Sequence, residues 1–152
     1  MIESGLVDYA FLIPVQLLAR LDQNPSISIS YLPSRINHFY LLNTQKPPTD
    51  DIWVRRMIAA SMDRKTVADH VYRNSGSEAR GLIPQNLPLF VAPDSLMSFD
   101  MESATNYLER SKIRQKTDRV DISYVSTSEE YRLTSFLLMD NLRKIGVDLD
   151  LK

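Results

Sequence analysis

The sequence predicts an α/β fold in which a mixed sheet carries helices on its faces. Short apolar or alternating runs, which are typical of strands, are interleaved with longer stretches in which apolar residues recur every three or four positions, as in packed helices. At the C-terminal end a strand pattern, a long helix pattern and a second strand pattern follow one another directly. This order predicts a βαβ unit with parallel strands and a right-handed crossover.

Three strands and one helix are predicted in the first third of the chain. Residues 6–12 form a nearly continuous apolar run, residues 26–32 alternate strictly, and residues 36–43 form a longer apolar segment. A helix is predicted to begin at Pro14, between the first two strands, because the first turn of a helix does not need the N–H group that proline lacks. The predicted inward face of this helix consists of Leu17, Leu18 and Leu21.

Further helices are predicted where an aspartate precedes a periodic apolar stretch. Asp50 and Asp51 together, Asp63 and Asp100 are expected to cap three helices, because their carboxylates can accept from free N–H groups of the first turn. A proline-rich loop over residues 82–98 separates the second of these helices from the third. The apolar stripe of the first helix consists of Ile52, Val54, Met57, Ile58 and Met62.

The longest helix is predicted near the C-terminal end. Thr127 and Glu130 have the spacing of a capping box, and Gly146 is placed for a left-handed C-terminal cap. The flanking strands are predicted over residues 120–125 and 147–151.

Length and composition restrict the function classes. A chain of 152 residues is expected to form a single domain with a real core. The net charge of −1 argues against nucleic-acid binding, which requires a basic face, and the lack of cysteine excludes disulfides and thiolate chemistry. The sequence contains no apolar run of the roughly 20 residues that span a bilayer. It shows no signal peptide.

The residues offer little for catalysis. His38 and His70 are the only histidines, and neither has an obvious nucleophile beside it, so each is interpreted as a surface or structural residue. The acidic pairs at residues 50–51 and 129–130 lie at predicted helix N-termini, where capping and dipole complementarity account for them. We therefore expect no catalytic residue, no metal site and no cofactor.

One ordered set of residues is shared with a known family. The family pattern has an Asn at a strand end, then a Pro, an Asp, a Val-Arg pair, an Ala, an Asp-Arg pair and a G-x-x-P turn. The residues that match it here, in the same order, are Asn43, Pro47 or Pro48, Asp51, Val54, Arg55, Ala60, Asp63, Arg64, Gly81 and Pro84. Matching stretches also occur at residues 5–14, 99–108 and 142–151, with Met57 in place of Ala and Met101 in place of Pro. The sequence resembles family 5 extracellular solute-binding proteins, the oligopeptide-, dipeptide- and nickel-binding components of ABC importers.

The resemblance implies a two-lobed binding protein with a type II periplasmic-binding-protein fold. Residues 1–152 would be a single domain forming part of its C-terminal lobe, and the N-terminal lobe would be missing. The implied ligand is a peptide or another small solute, the implied partner is an ABC permease, and the implied location is periplasmic or extracytoplasmic. The isolated chain would hold one wall of the cleft and bind peptide weakly or not at all.

Two neighbouring residues are candidates for ligand binding. Arg132 lies in the first turn of the long helix, where free N–H groups favour an anion and a guanidinium adds a bidentate carboxylate partner. In peptide-binding relatives a basic residue at the start of this helix contacts the ligand's carboxylate, which implies this role for Arg132, with Tyr131 as the neighbouring candidate. The plainer interpretation, a solvated arginine paired with Glu129, stays open.

A second function class remains to be weighed against the binding protein. A self-contained α/β enzyme or regulatory ligand-binding domain could use the same lobe architecture. It would need a cleft with convergent polar groups, and the sequence contains no such cluster.

Overall fold

A computed structural model of the chain describes residues 1–32, 34–93, 97–113, 120–124 and 127–152. These residues form helices and a small parallel sheet of two strands. In chain order the elements are α1 (Val15–Leu21), α2 (Ile52–Ser61), α3 (Arg64–Thr66), a π-helical turn (Val67–Val71), α4 (Met101–Arg110), β1 (Val120–Ile122), α5 (Glu129–Lys144) and β2 (Leu149–Leu151).

The core forms where α5 packs against α2 and the two strands. Leu138 and Leu142 of α5 are fully buried, as are Val54 and Met57 of α2. The remaining buried members of this cluster are Ile58, Val120, Ile122, Val147 and Leu149. Burial of one such leucine stabilises the folded chain by roughly 2 kcal/mol.

The end of α2 is tied to its neighbours by buried polar contacts. The backbone N–H of Asp100 donates to the Ala60 carbonyl at 2.9 Å, and the amide of Asn141 donates to the Ser61 carbonyl at 2.9 Å. At the other end of α2, Asp51 caps the helix by accepting from the N–H of Trp53 at 2.9 Å. Its second oxygen accepts from the N–H of Lys112, which follows α4, at 2.8 Å. These contacts join opposite ends of α2 and α4, so the two helices are antiparallel.

The predicted βαβ unit is confirmed. β1 and β2 are parallel, with Val120 opposite Leu149 and Ile122 opposite Leu151. The predicted capping residue is wrong by one position, because Ser128 has the extended backbone of an N-cap and its hydroxyl accepts from the N–H of Tyr131 at 3.2 Å. The predicted strand reached residue 125, which lies outside the described residues.

The caps at Asp63 and Asp100 are confirmed, since both side chains accept from N–H groups of the first turn.

Two residues predicted to face the core are instead partly exposed: Leu17 of α1 by 39% and Ile52 of α2 by 46%. Both lie near the start of a helix, on a side that no described element covers. The loop over residues 82–98 is irregular wherever it is described, as predicted.

The three strands predicted over residues 6–12, 26–32 and 36–43 are wrong as descriptions of this structure. None of these segments belongs to a sheet in the described part of the chain. A strand requires the hydrogen bonds of a neighbouring strand, and apolar alternation cannot supply that neighbour. These segments are instead irregular and largely exposed.

The predicted left-handed cap at Gly146 is confirmed. Gly146 has φ of +82°, its N–H donates to the Arg143 carbonyl at 3.0 Å, and the N–H of Val147 donates to the Leu142 carbonyl at 3.0 Å. This is the Schellman pattern, in which the last free carbonyls of a helix are satisfied. The turn directs the chain from the end of α5 into β2.

We expect Gly146→Ala to lower the free energy of unfolding by about 1 kcal/mol, because a Cβ at positive φ is strained while the space around it is open. Gly76→Ala is the matched control, since its new Cβ would meet only an ordinary contact with Tyr72 at 3.7 Å. Urea unfolding of both variants measures the difference. Equal stability of the two variants would contradict the role assigned to the turn.

Candidate functional site

An open cleft of about 430 Å³ lies at the N-terminal end of α5. Three parts of the chain line it: residues 12–16 at the start of α1, residues 127–131 at the start of α5, and the side chains of His38 and Tyr72 between them. The size falls within the range of roughly 300–1,000 Å³ that is typical of small-ligand pockets. The cleft is therefore large enough for a ligand of a few residues.

Aromatic rings form the floor of the cleft. The imidazole of His38 lies between two tyrosines, with its centroid 5.3 Å from that of Tyr72 and 5.1 Å from that of Tyr131. Behind them the hydroxyl of Tyr40 shares a hydrogen bond of 2.9 Å with Ser135 of α5. These contacts hold the extended segment that carries His38 and Tyr40 against the first half of α5.

A small polar network fixes the carboxylate at the cleft's rim. Glu130 accepts from the amide of Gln16 in α1 at 3.2 Å and from the hydroxyl of Ser128 at 3.1 Å. Hydrogen bonding to its own backbone N–H, helped by these two side chains, lowers the pKa of Glu130. The carboxylate stays ionised at neutral pH and links α1 to the start of α5.

The two predicted ligand-binding residues occupy different places. Tyr131 lines the cleft, whereas Arg132 is not among the residues that line it. The Nε of Arg132 donates to Glu129 at 2.8 Å, its Nη2 pairs with the other oxygen of that carboxylate, and its guanidinium lies 5.3 Å from the ring centroid of Phe136. The side chain of Arg132 remains 41% exposed. Of the two interpretations of Arg132, the structure shows the pairing with Glu129.

Two further properties bear on the function. In the described ranges, no three histidine, aspartate or glutamate side chains are close enough together to hold a metal ion. Among the described helices, none combines the length and the apolar character needed to cross a bilayer.

Comparison with known proteins identifies the fold and the family. The family model for bacterial extracellular solute-binding proteins, family 5, middle region, matches residues 1–152. The chain belongs to this family.

Curated family 5 relatives are longer than the chain. A nickel-binding periplasmic protein of Escherichia coli K12 is 23% identical over 164 residues, which cover 98% of this chain and 31% of that protein. The dipeptide-binding protein of the same organism is 24% identical over 134 residues, covering 86% of this chain and 25% of that protein. The chain spans less than a third of the length of these relatives.

Solved structures show the same fold. A dipeptide-binding protein from Pseudoalteromonas sp. SM9913, in complex with Met-Leu, matches with a TM-score of 0.75 and 24% identity over 90% of this chain and 27% of that one. NikZ from Campylobacter jejuni, in complex with Ni(L-His), matches with a TM-score of 0.75 and 16% identity over 92% of this chain and 30% of that one. The small parallel sheet with flanking helices is therefore part of a periplasmic-binding-protein fold. The relatives are transport-binding proteins, so the alternative of a self-contained enzyme is not favoured.

Sequence reasoning missed the role of His38 and Tyr72 in lining the cleft at the start of α5. The sequence predicts only a surface or structural role for His38 and gives no functional signal at Tyr72. The two residues are separated by more than thirty positions and meet only through the fold. The signal that could have indicated His38 is its place in an apolar segment, two residues before Tyr40, on the same side of an extended chain.

Packing in the cleft shifts the pKa values of His38 and Tyr72. Burial of one flank of the His38 ring lowers its pKa from the ordinary value of 6.5, and the negative charge of Glu130 partly offsets this. Burial raises the pKa of Tyr72 to about 12, and its hydroxyl has no hydrogen-bond partner among the described residues. Burial thus favours the neutral forms of His38 and Tyr72, and the acidic residues of the described lining are Glu129 and Glu130.

We expect the imidazole of His38 to titrate below pH 6.5 in an NMR titration of its Cε1–H signal. Because the folded pKa is lower than the unfolded one, stability is fully present above pH 6.5 and falls as the pH drops toward the folded pKa. Glu130→Gln removes a favourable negative charge and lowers the midpoint further, whereas Glu129→Gln is the control and leaves it unchanged. A titration midpoint of His38 at or above pH 6.5 in the unmodified chain would contradict the burial of its ring.

Proposed function

We propose that the chain forms one wall of the ligand cleft in the substrate-binding component of an ABC importer, and that the ligand is a peptide. The observation that carries this proposal is the open cleft at the N-terminus of α5, where residues 12–16, residues 127–131, His38 and Tyr72 converge. Family membership supports a binding role, and the dipeptide-binding relatives support the peptide.

The lining suits one face of a short peptide. The rings of His38, Tyr72 and Tyr131 offer flat, uncharged surfaces against which a peptide backbone or an apolar side chain can pack. Glu130 is held in place by Gln16 and Ser128, so the rim is pre-organised before a ligand arrives. The opposite face of the ligand stays uncovered, since the cleft is open.

A second lobe would cover that face. In this proposal residues 1–152 are part of the C-terminal lobe of a longer, two-lobed protein, and ligand binding closes the lobes about a hinge. The closed form then docks on the membrane permease outside the cytoplasm. The chain spans less than a third of the length of the relatives that it matches, and this supports the arrangement.

Arg132 and Tyr131 are proposed to bind the peptide's C-terminal carboxylate. Arg132 is in the first turn of α5 and its guanidinium is exposed enough to reach a ligand beside Tyr131. The ligand carboxylate would take over at least one hydrogen bond that Arg132 now gives to Glu129. A planar guanidinium suits this exchange, because it can serve two carboxylates from different edges.

This role is tested in a chimera in which the chain replaces the matching segment of the E. coli dipeptide-binding protein, called here the dipeptide-protein chimera. We expect Arg132→Ala to weaken Met-Leu binding roughly 10- to 100-fold in isothermal titration calorimetry, because hydrogen bonds to charged groups are worth about 1.5–3 kcal/mol. The methyl ester of the dipeptide, which lacks the carboxylate, should bind both proteins equally.

Arg143→Ala is the matched control, since Arg143 lies in the last turn of the same helix, far from the cleft. It should change the dissociation constant less than twofold. Unchanged Met-Leu affinity in Arg132→Ala would remove Arg132 from the site, and failure of the folded chimera to bind any dipeptide would reject the peptide ligand.

A further inference from the structure

Two aromatic rings and two guanidinium groups form a cluster on the surface of α2 and α4. Its members, called here the aromatic–arginine patch, are Trp53, Arg56, Tyr107 and Arg110. The two rings are stacked, with centroids 6.0 Å apart and planes inclined by 28°. The guanidinium carbons of Arg56 and Arg110 lie 5.0 Å and 5.2 Å from the centroid of the indole. Two exposed cations therefore share one partly buried ring.

The helices hold the patch in place from below. In each helix the aromatic residue precedes its arginine by three positions, so the two side chains lie on one face. Asp51 joins the helices, because its carboxylate caps α2 and also accepts from the N–H of Lys112, which follows α4, at 2.8 Å. Tyr107 packs against the hydrophobic core. The patch is therefore formed before any partner binds.

The positive charge of the patch is not matched by an acidic residue. In the part of the chain that the structure describes, neither Arg56 nor Arg110 forms an ion pair or a side-chain hydrogen bond. Arg132 provides the contrast, because it also lies over an aromatic ring and yet pairs with Glu129. The indole N–H of Trp53 likewise donates to no described residue. The patch thus offers two cationic groups and one N–H donor that no described carboxylate uses.

The residue types of the patch are those that dominate protein interfaces. Tryptophan, tyrosine and arginine are enriched among the few residues that carry most of the binding energy in a protein–protein contact. The positive charge is local, since lysine and arginine outnumber acidic residues five to one over residues 110–119 while the net charge of the chain is −1. A local excess of this kind favours a short acidic segment over an extended anionic surface such as a membrane or a nucleic acid.

We propose that the aromatic–arginine patch is a docking surface for an acidic segment of a partner protein. Carboxylates of that segment pair with Arg56 and Arg110, and an apolar side chain beside them packs on the exposed part of Trp53. The surface is separate from the ligand cleft, because none of its four residues lines that cleft. The proposal goes beyond the ligand-binding role and does not depend on it.

The two arginines also predict how binding responds to salt. Both guanidinium groups lie close to the same ring, so their positive charges repel each other. A carboxylate that binds beside them offsets this repulsion. Because the groups are exposed, dissolved ions screen the attraction, and the dissociation constant of an acidic segment should rise as sodium chloride is added.

A titration followed by NMR tests the proposal at the patch itself. Trp53 is the only tryptophan of the chain, so its indole N–H gives a single signal. The probe is an acetylated, amidated peptide of alternating glutamate and leucine, which should shift this signal. The same peptide with glutamine in place of glutamate should leave the signal unchanged. No shift at millimolar acidic peptide, or equal shifts with both peptides, would overturn the proposal.

Paired substitutions identify the groups that bind. We expect Arg56→Gln combined with Arg110→Gln to raise the dissociation constant of the acidic peptide roughly tenfold or more, because two charge-assisted contacts are lost. The matched control is Arg80→Gln combined with Arg143→Gln, which changes the net charge equally at two exposed positions and should alter the constant less than twofold. Equal weakening in both variants would overturn the proposal. If the first variant does not fold, the comparison of the two peptides on the unmodified chain decides.

Other occupants of the patch are distinguished by further titrations. Inorganic phosphate that shifts the indole signal at the same concentration as the peptide would reduce the patch to a small-anion site and overturn the proposal. Vesicles of phosphatidylglycerol that bind the chain more tightly than the acidic peptide does would overturn it in favour of a membrane surface.

The dipeptide-protein chimera shows whether the patch stays accessible in a longer protein. With the cleft saturated by Met-Leu, calorimetry should detect binding of the acidic peptide, and the paired substitution of Arg56 and Arg110 should weaken it. Loss of that binding in a chimera that still takes up Met-Leu would show that the rest of the protein covers the patch, and it would overturn the proposal. A chimera that binds the acidic peptide and no dipeptide would reject the proposed function and keep the docking surface.

Discussion

The burial of α5 against α2 and the two parallel strands is the constraint on which the rest of the structure depends. Leu138 and Leu142 fill the centre of the core. Asn141, which lies between them in the sequence, donates a hydrogen bond from its side-chain amide to the Ser61 carbonyl, the last of α2. Helix length and the turn at Gly146 then place β2 beside β1 in register. Without this packing neither the two short strands nor the polar ties at the ends of α2 would be stable, because a two-stranded sheet alone is marginal in water.

The same helix sets the position of the cleft. Its first turn carries Ser128, Glu130 and Tyr131, and the contacts of these residues reach α1 and the segment around His38. One helix therefore buries its C-terminal half in the core and places its N-terminal turn in the wall of the cleft. This division explains why the cleft combines carboxylates and aromatic rings within a small volume.

The sequence predicted the parts of the fold that depend on local chemistry. The caps at Asp51, Asp63 and Asp100 and the left-handed turn at Gly146 each follow from the preference of one residue type for one backbone geometry. The βαβ unit followed from order alone, because parallel strands joined by a helix have few alternatives.

Prediction failed where the outcome depends on distant residues. The alternation over residues 26–32 is a property of the segment, but a strand is a property of a pair, and the described chain contains no partner for it. The approach of His38 to Tyr72 is likewise set by tertiary packing. At the candidate site, the sequence predicted the start of α5 from its capping pattern. For Arg132 it allowed two interpretations, pairing with Glu129 or contact with a ligand carboxylate, and it could not separate them. The structure shows the pairing with Glu129.

A crystal structure of the dipeptide-protein chimera grown with Met-Leu would show whether the N-terminal end of α5 forms a wall of the ligand cleft. We predict density for the dipeptide in van der Waals contact with the rings of His38 and Tyr131. Density for the dipeptide elsewhere in the chimera, or a cleft filled by side chains of the other lobe, would contradict the claim.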